Sequence, residues 1–210
     1  MRNLPSMLRL LPTPMASPYP SPAAAEVDRR PELIGAGRRL ADSGLVRARS
    51  GNLSIRAGGG LLVTMAGARL GALAPSDLLT IADPAAPPPH ASSEMGLHAA
   101  IYAARPDVGA VVHTHSAYAT AWATVEAELP LTLEDAPYYG MGDRVAVVEH
   151  LPAGSRALAD AAVAALGAGA AVLLARHGAI AVGADLSQAV DIAESLEHQA
   201  RVAWLLRGEA

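Results

Sequence analysis

Apolar residues recur at helical spacing from Glu26 to about Leu45 (Val27, Leu33, Ile34, Leu40), and the pattern stops at Gly44, which predicts a first helix. Two short stretches, 52–56 (NLSIR) and 61–64 (LLVT), flank AGGG and predict a β-hairpin. Pro75-Ser76-Asp77 opens what reads as a short helical turn through LLTIA, and 83–90 (DPAAPPPH) can only be loop. A helix capped by Ser92 or Ser93 runs to about Ala104, where Arg105-Pro106 ends it. The β-branched run 108–115 (VGAVVHTH) predicts a buried strand, followed by a helix from Ser116 to about Val125.

Residues 129–150 are irregular, with short strands expected near 145–149. A helix over 156–166 ends at Gly167, and 170–175 (AAVLLA) is a strand that 179–182 (AIAV) extends beyond His177-Gly178. The last helix starts at Asp185 or Ser187, with Gln188 placed for a capping box, and runs to about Leu206. Helices and strands intermingle without repeats, so the class is α/β, three layers around one sheet.

Residues 1–25 lack this periodicity and are rich in proline, which predicts a flexible tail or a start at Met7 or Met15, ahead of one domain over 26–210. No apolar run reaches the roughly 18 residues that span a bilayer, and a signal peptide is weakly supported, so a cytoplasmic location is expected. The net charge of −4, without a basic stripe, offers no footprint for nucleic acid.

Two absences narrow the chemistry. There is no cysteine, which excludes disulfides and thiolate nucleophiles, and all 16 basic residues are arginine, which excludes a lysine Schiff base and a Walker-type loop. Activation of a carbonyl substrate therefore needs another electron sink, and seven histidines make a metal the candidate.

Residues i and i+2 of a strand face the same way, so His113 and His115 present both imidazoles to one side, roughly 7 Å apart at the backbone. His177, directly after AAVLLAR and before Gly178, is the best third ligand if the two strands share a sheet. Glu94, at the start of the helix before the HTH strand, is a capping residue or a carboxylate near the metal. Gly51 and Asn52, where a loop enters a strand, present donors to an oxyanion or simply form a turn.

In order and spacing, GNLSIR (51–56), SSE (92–94), VVHTHS (111–116) and ARHGAIAVG (175–183) resemble the class II aldolase/adducin family, over residues from about 30 to 205. The resemblance implies an α/β/α sandwich around a single, mainly antiparallel sheet. It implies a homotetramer with active sites between subunits, acting on a small carbonyl or sugar substrate. It also implies zinc or another divalent first-row ion on His113, His115 and His177. Glu94 would move the proton, and Gly51, Asn52, Gly67, Ser92 and Ser93 would bind phosphate.

The implied reaction is reversible aldol cleavage through an enediolate that the metal stabilises, consistent with the missing lysine. A decarboxylase or dehydratase would use the same electron sink. The related epimerases carry aspartate at the Glu94 position and use a lysine absent here. A non-catalytic adducin-like scaffold would have lost the histidines.

Two departures matter. Thr64-Met65-Ala66-Gly67 replaces the family's usual T-P-S/T-G, removing a hydroxyl from the phosphate loop. The stretch 129–140 lacks the usual His-Tyr pair, leaving Glu134, Asp135, Tyr138 and Tyr139 as unassigned candidates for an acid from a neighbouring subunit. His98 reads as a supporting or packing residue, and His90, His150 and His198 as surface.

Overall fold

The computed structural model describes residues 27–207; the expected tail at 1–25 lies outside them. Its frame is one sheet of eight strands in the order β3-β2-β1-β4-β8-β7-β6-β5. β1 (Asn52–Ala57) and β2 (Gly60–Thr64) form the expected hairpin, and β3 (Leu78–Ile81) extends it outward. β4 (Ala110–Thr114) lies between β1 and β8 (Gly178–Gly183), followed by β7 (Ala171–Leu174), β6 (Arg144–Val148) and β5 (Glu128–Pro130). Only β6 and β7 run parallel, so the sheet is mainly antiparallel.

Side-chain alternation divides the core into two layers. Leu53, Ile55, Ala110, Val112, Leu173, Ala179 and Ala181 face one side, against α1 (Arg30–Asp42), α3 (Ala117–Val125) and α5 (Leu186–Leu206). Val111, Val172, Leu174, Ile180 and Val182 face the other, against α2 (Met95–Ala104) and α4 (Arg156–Leu166). Both faces are covered, so central strands read as continuous apolar runs. The three-layer α/β/α expectation holds.

Several local expectations are corrected. The first helix begins at Arg30, with Pro31 in its first turn, four residues later than its apolar pattern suggested. Leu78–Ile81 is an edge strand, not a helical turn. The Asp77 carboxylate accepts the Ala74 N–H and closes the chain in a single 3₁₀ turn, after which the backbone extends and pairs with β2.

Residues 178–183 do not prolong β7 but fold back as antiparallel β8, through a turn in which Arg176 adopts φ 59°. That reversal carries His177 to the end of β4. At α5 the Asp185 carboxylate accepts the Gln188 N–H, and the Gln188 side chain returns to the Ala184 N–H, nearly the expected box. No helix among the described residues is long and apolar enough to cross a membrane.

Candidate metal centre and active site

The site forms where β4 ends and β8 begins. His113 is buried on the α2/α4 face of β4, in register with Asn52 of β1 and Ile180 of β8. β4 ends at Thr114, so His115 lies one residue past the strand, yet still on the His113 side. The three imidazoles meet: ring centroids are 4.8 Å apart for His113–His115, 4.8 Å for His113–His177 and 5.1 Å for His115–His177. One nitrogen from each lies within 4.8 Å of the others. His113 Nε2 and His115 Nε2 are 3.0 Å apart, and two nitrogens bound to one tetrahedral zinc-type ion stand about 3.3 Å apart.

The close fit has a backbone cause. Gly178 abuts the Thr114 carbonyl, where a Cβ would collide, so only glycine lets β8 start flush with the end of β4. Gly51 has φ 79°, and a Cβ there would stand 2.6 Å from the His113 carbonyl oxygen. Both glycines are thus needed for the shape of the site, whatever Gly51 binds.

Tautomer and charge suit a cation ligand set. His113 Nδ1 is 3.0 Å from the Ala179 carbonyl, which can only accept, so its proton sits on Nδ1 and its lone pair on Nε2 faces the cluster. Burial, then the neighbouring His115 and His177, push His113 well below its ordinary pKa. Burial also lowers His115, and burial followed by His115 and His150 lowers His177 to about 4. Neutral imidazoles are the form that binds metal.

Glu94 lies at the same end of the sheet. Met65, just beyond β2, bridges Ala91 and the Ala66 N–H donates to the His90 carbonyl, so the loop after β2 runs beside the segment leading into α2. Ser92 does not cap α2. Its hydroxyl accepts the Glu94 N–H at 3.3 Å, and Glu94 itself is the N-cap without a side-chain capping bond. The carboxylate is therefore left for other use. It is 4% exposed, and burial raises its pKa against a backbone N–H of Gly154.

Six buried side-chain polar atoms lack a hydrogen-bond partner among the described residues, and four belong here: Asn52 Oδ1, Glu94 Oε2, His98 Nε2 and His177 Nδ1. Each such atom costs about 1–3 kcal/mol, so their clustering marks a place built to receive a ligand. The donor set fits a divalent ion.

Among the other expected residues, Ser93 is exposed, Ser92 half-buried, and Gly67 is exposed with φ 70°. His98 is fully buried beside this cluster. Its Nδ1 is 2.7 Å from Ser54 Oγ, which lies 3.0 Å from the Tyr102 hydroxyl, and burial lowers it to about 3. Sequence reasoning missed Ser54 and Tyr102. The available signal was the alternation of β1, which sets Ser54 between Asn52 and Arg56 on a polar face. His90, His150 and His198 are exposed.

The unassigned acid candidates lie elsewhere. Tyr138 and Tyr139 line a cavity with Val108, Gly183 and Ala184, where β4 begins and β8 ends, opposite the chain's own histidines. Asp135 accepts from the Gln199 amide.

Residues 31–204 match the model of the class II aldolase and adducin N-terminal domain. The chain is 37% identical over 174 residues to a 5-methylthioribulose-1-phosphate/5-deoxyribulose-1-phosphate aldolase of Rhodospirillum rubrum, covering 82% of this chain and 78% of that protein. It is 32% identical to a 3-oxo-tetronate 4-phosphate decarboxylase of Haemophilus influenzae, over 84% of this chain and 87% of the relative. The solved l-fuculose-1-phosphate aldolase of Thermus thermophilus superposes with a TM-score of 0.78 at 30% identity, covering 84% of this chain and 93% of that one. With its fold and its three-histidine centre, this chain belongs to the class II aldolase and adducin family, as an enzyme of the aldehyde-lyase type.

Proposed function

We propose that this enzyme performs reversible aldol cleavage of a small hydroxylated keto compound bearing a phosphate. His113, His115 and His177 would hold a divalent first-row ion, zinc by expectation. The observation that carries the reading is the meeting of three neutral imidazoles at the sheet end that also holds the buried carboxylate of Glu94, whose Oε2 has no partner. The relatives named above act on sugar phosphates or a related phosphorylated acid.

When bound, the ion supplies Lewis-acid polarisation of the substrate carbonyl and the adjacent hydroxyl. The chain's own residues do the rest. Glu94, with its pKa raised by burial, takes up a proton more readily than an exposed carboxylate and returns it to carbon after the C–C bond breaks. Asn52, buried and in register with His113, presents an amide with a free oxygen to the site. Gly51, Gly67, Ser92 and Ser93 would bind the substrate's phosphate. An active site shared between subunits of a homotetramer accords with Tyr138 and Tyr139 lying far along β4 and β8 from the chain's own histidines.

The decarboxylase relative supports a second reading, loss of CO₂ from a 3-oxo acid phosphate at the same centre. Zinc-loaded protein assayed with dihydroxyacetone phosphate and a set of small aldehydes is expected to form the C–C bond. Release of CO₂ from a 3-oxo acid phosphate, with no aldol product, would replace the first reading by the second.

A further inference from the structure

The loop that carries Ala66, where the family resemblance implies a hydroxyl, has a guanidinium neighbour. Arg49 precedes Gly51-Asn52 in a tight turn. Ser50 Oγ donates to the Arg47 carbonyl at 2.8 Å and accepts the Arg47 N–H at 3.0 Å, and Ala48 adopts φ 53°. From this turn Arg49 Nη1 donates to the Gly67 carbonyl, directly beside Ala66. Arg49 and Arg69 together wall a cavity of about 270 Å³ with Ala66 and Gly67.

Neither arginine makes an ion pair with a carboxylate among the described residues, whereas Arg29, Arg39, Arg105 and Arg156 each do. Asp77 also lines the cavity, its Oδ2 accepting the Ala74 N–H at 2.9 Å, and the two guanidinium charges there outnumber its single negative charge. A guanidinium carries five donors in a planar fork, and this one spends a single bond on the protein. The remaining fork has the geometry that binds a phosphate through two parallel bonds.

We propose that Arg49 is a specificity-determining residue that binds the substrate's phosphate monoester, replacing with a charged fork the hydroxyl absent at Ala66. The proposal rests on the aldolase reading above and names the residue that selects a phosphorylated substrate. The loop that lines the cavity is tied to the segment leading to Ser92 and Glu94, through the Met65–Ala91 bridge and the bond from the Ala66 N–H to the His90 carbonyl.

The test compares kcat/KM for dihydroxyacetone phosphate with that for dihydroxyacetone in the metal-loaded full chain. Calorimetric titration of inorganic phosphate into metal-free protein runs in parallel. Arg49→Gln is expected to lower the phosphate preference about 10- to 100-fold, chiefly through KM, and to weaken inorganic phosphate binding by a similar factor. Arg49→Lys, which keeps the charge without the fork, is expected to recover part of both.

A preference within twofold of wild type in Arg49→Gln would overturn the proposal. So would a fall in kcat on both donors with phosphate binding intact, or a changed oligomeric mass with the preference kept. Failure of the aldolase reading would look different: wild type would turn over neither donor, while the phosphate titration still separated it from Arg49→Gln.

Discussion

β4 and β8 lie side by side along their whole length, yet their two ends are built in opposite ways. Where β4 begins, Arg105 bonds Asp107 through two nitrogens and donates to the carbonyls of Gly167 and Gly169, so the polar groups there are paired. Where β4 ends, His177 and Glu94 bury polar atoms without partners. The middle, Ala110 to Val112, is apolar and fully buried on both faces. One strand pair thus carries one end whose polar groups are paired and another that buries polar atoms without partners. Unpaired buried groups persist where a ligand completes them.

The sharpest break of this contrast is Glu94→Gln. It removes the titratable group while keeping size and hydrogen-bonding capacity. It is expected to lower turnover about 10²- to 10⁴-fold with metal content and melting temperature nearly unchanged, read by steady-state kinetics, metal analysis and calorimetry. Full turnover in this variant would assign the proton transfer elsewhere.

A matched pair of glycines comes next. Gly109 abuts the Ala184 carbonyl at the satisfied end as closely as Gly178 abuts the Thr114 carbonyl at the other. Each alanine substitution is expected to cost about 1–3 kcal/mol, measured by urea unfolding. Only Gly178→Ala is expected also to lose metal. Equal metal loss in both variants would erase the distinction between the ends.

A last effect concerns pH. The pKa values of His98 and His177 are depressed to about 3 and about 4 by burial, whereas in the unfolded chain they take the ordinary value near 6.5. Between those limits the unfolded state binds more protons. The stabilising contribution is therefore full above about pH 6.5 and declines as pH falls, toward 4 for His177 and toward 3 for His98. Urea midpoints of metal-free protein should drop over that interval, with a shallower slope in His98→Gln. An unchanged slope would show that His98 is not held neutral by the fold.

Much of the unsatisfied end was legible in the sequence because its signals are local. The alternation of His113 and His115 needs only strand periodicity, and His177-Gly178 marks the edge of a second apolar run. What could not be read was how those runs turn. Nothing in Ala175-Arg176-His177 is a usual hairpin sequence, and an arginine at positive φ gives no warning, so β8 looked like more of β7. LLTI is too short for periodicity to separate helix from strand. The freedom of the Glu94 carboxylate depends on Ser92 turning its hydroxyl to the backbone, and the placing of Arg49 depends on a contact 18 residues away.

The central claim is that imidazoles from the end of β4 and from the turn before β8 hold one ion. Metal analysis of the purified full chain, joined to X-ray absorption at the edge of the metal found, tests it most directly. The account predicts about one divalent ion per chain with three imidazole nitrogens at about 2.0–2.1 Å, and loss of the ion in folded His177→Ala protein. A folded wild-type chain that takes up no ion when zinc is supplied, or an ion kept with an unchanged spectrum after His177→Ala, would contradict it.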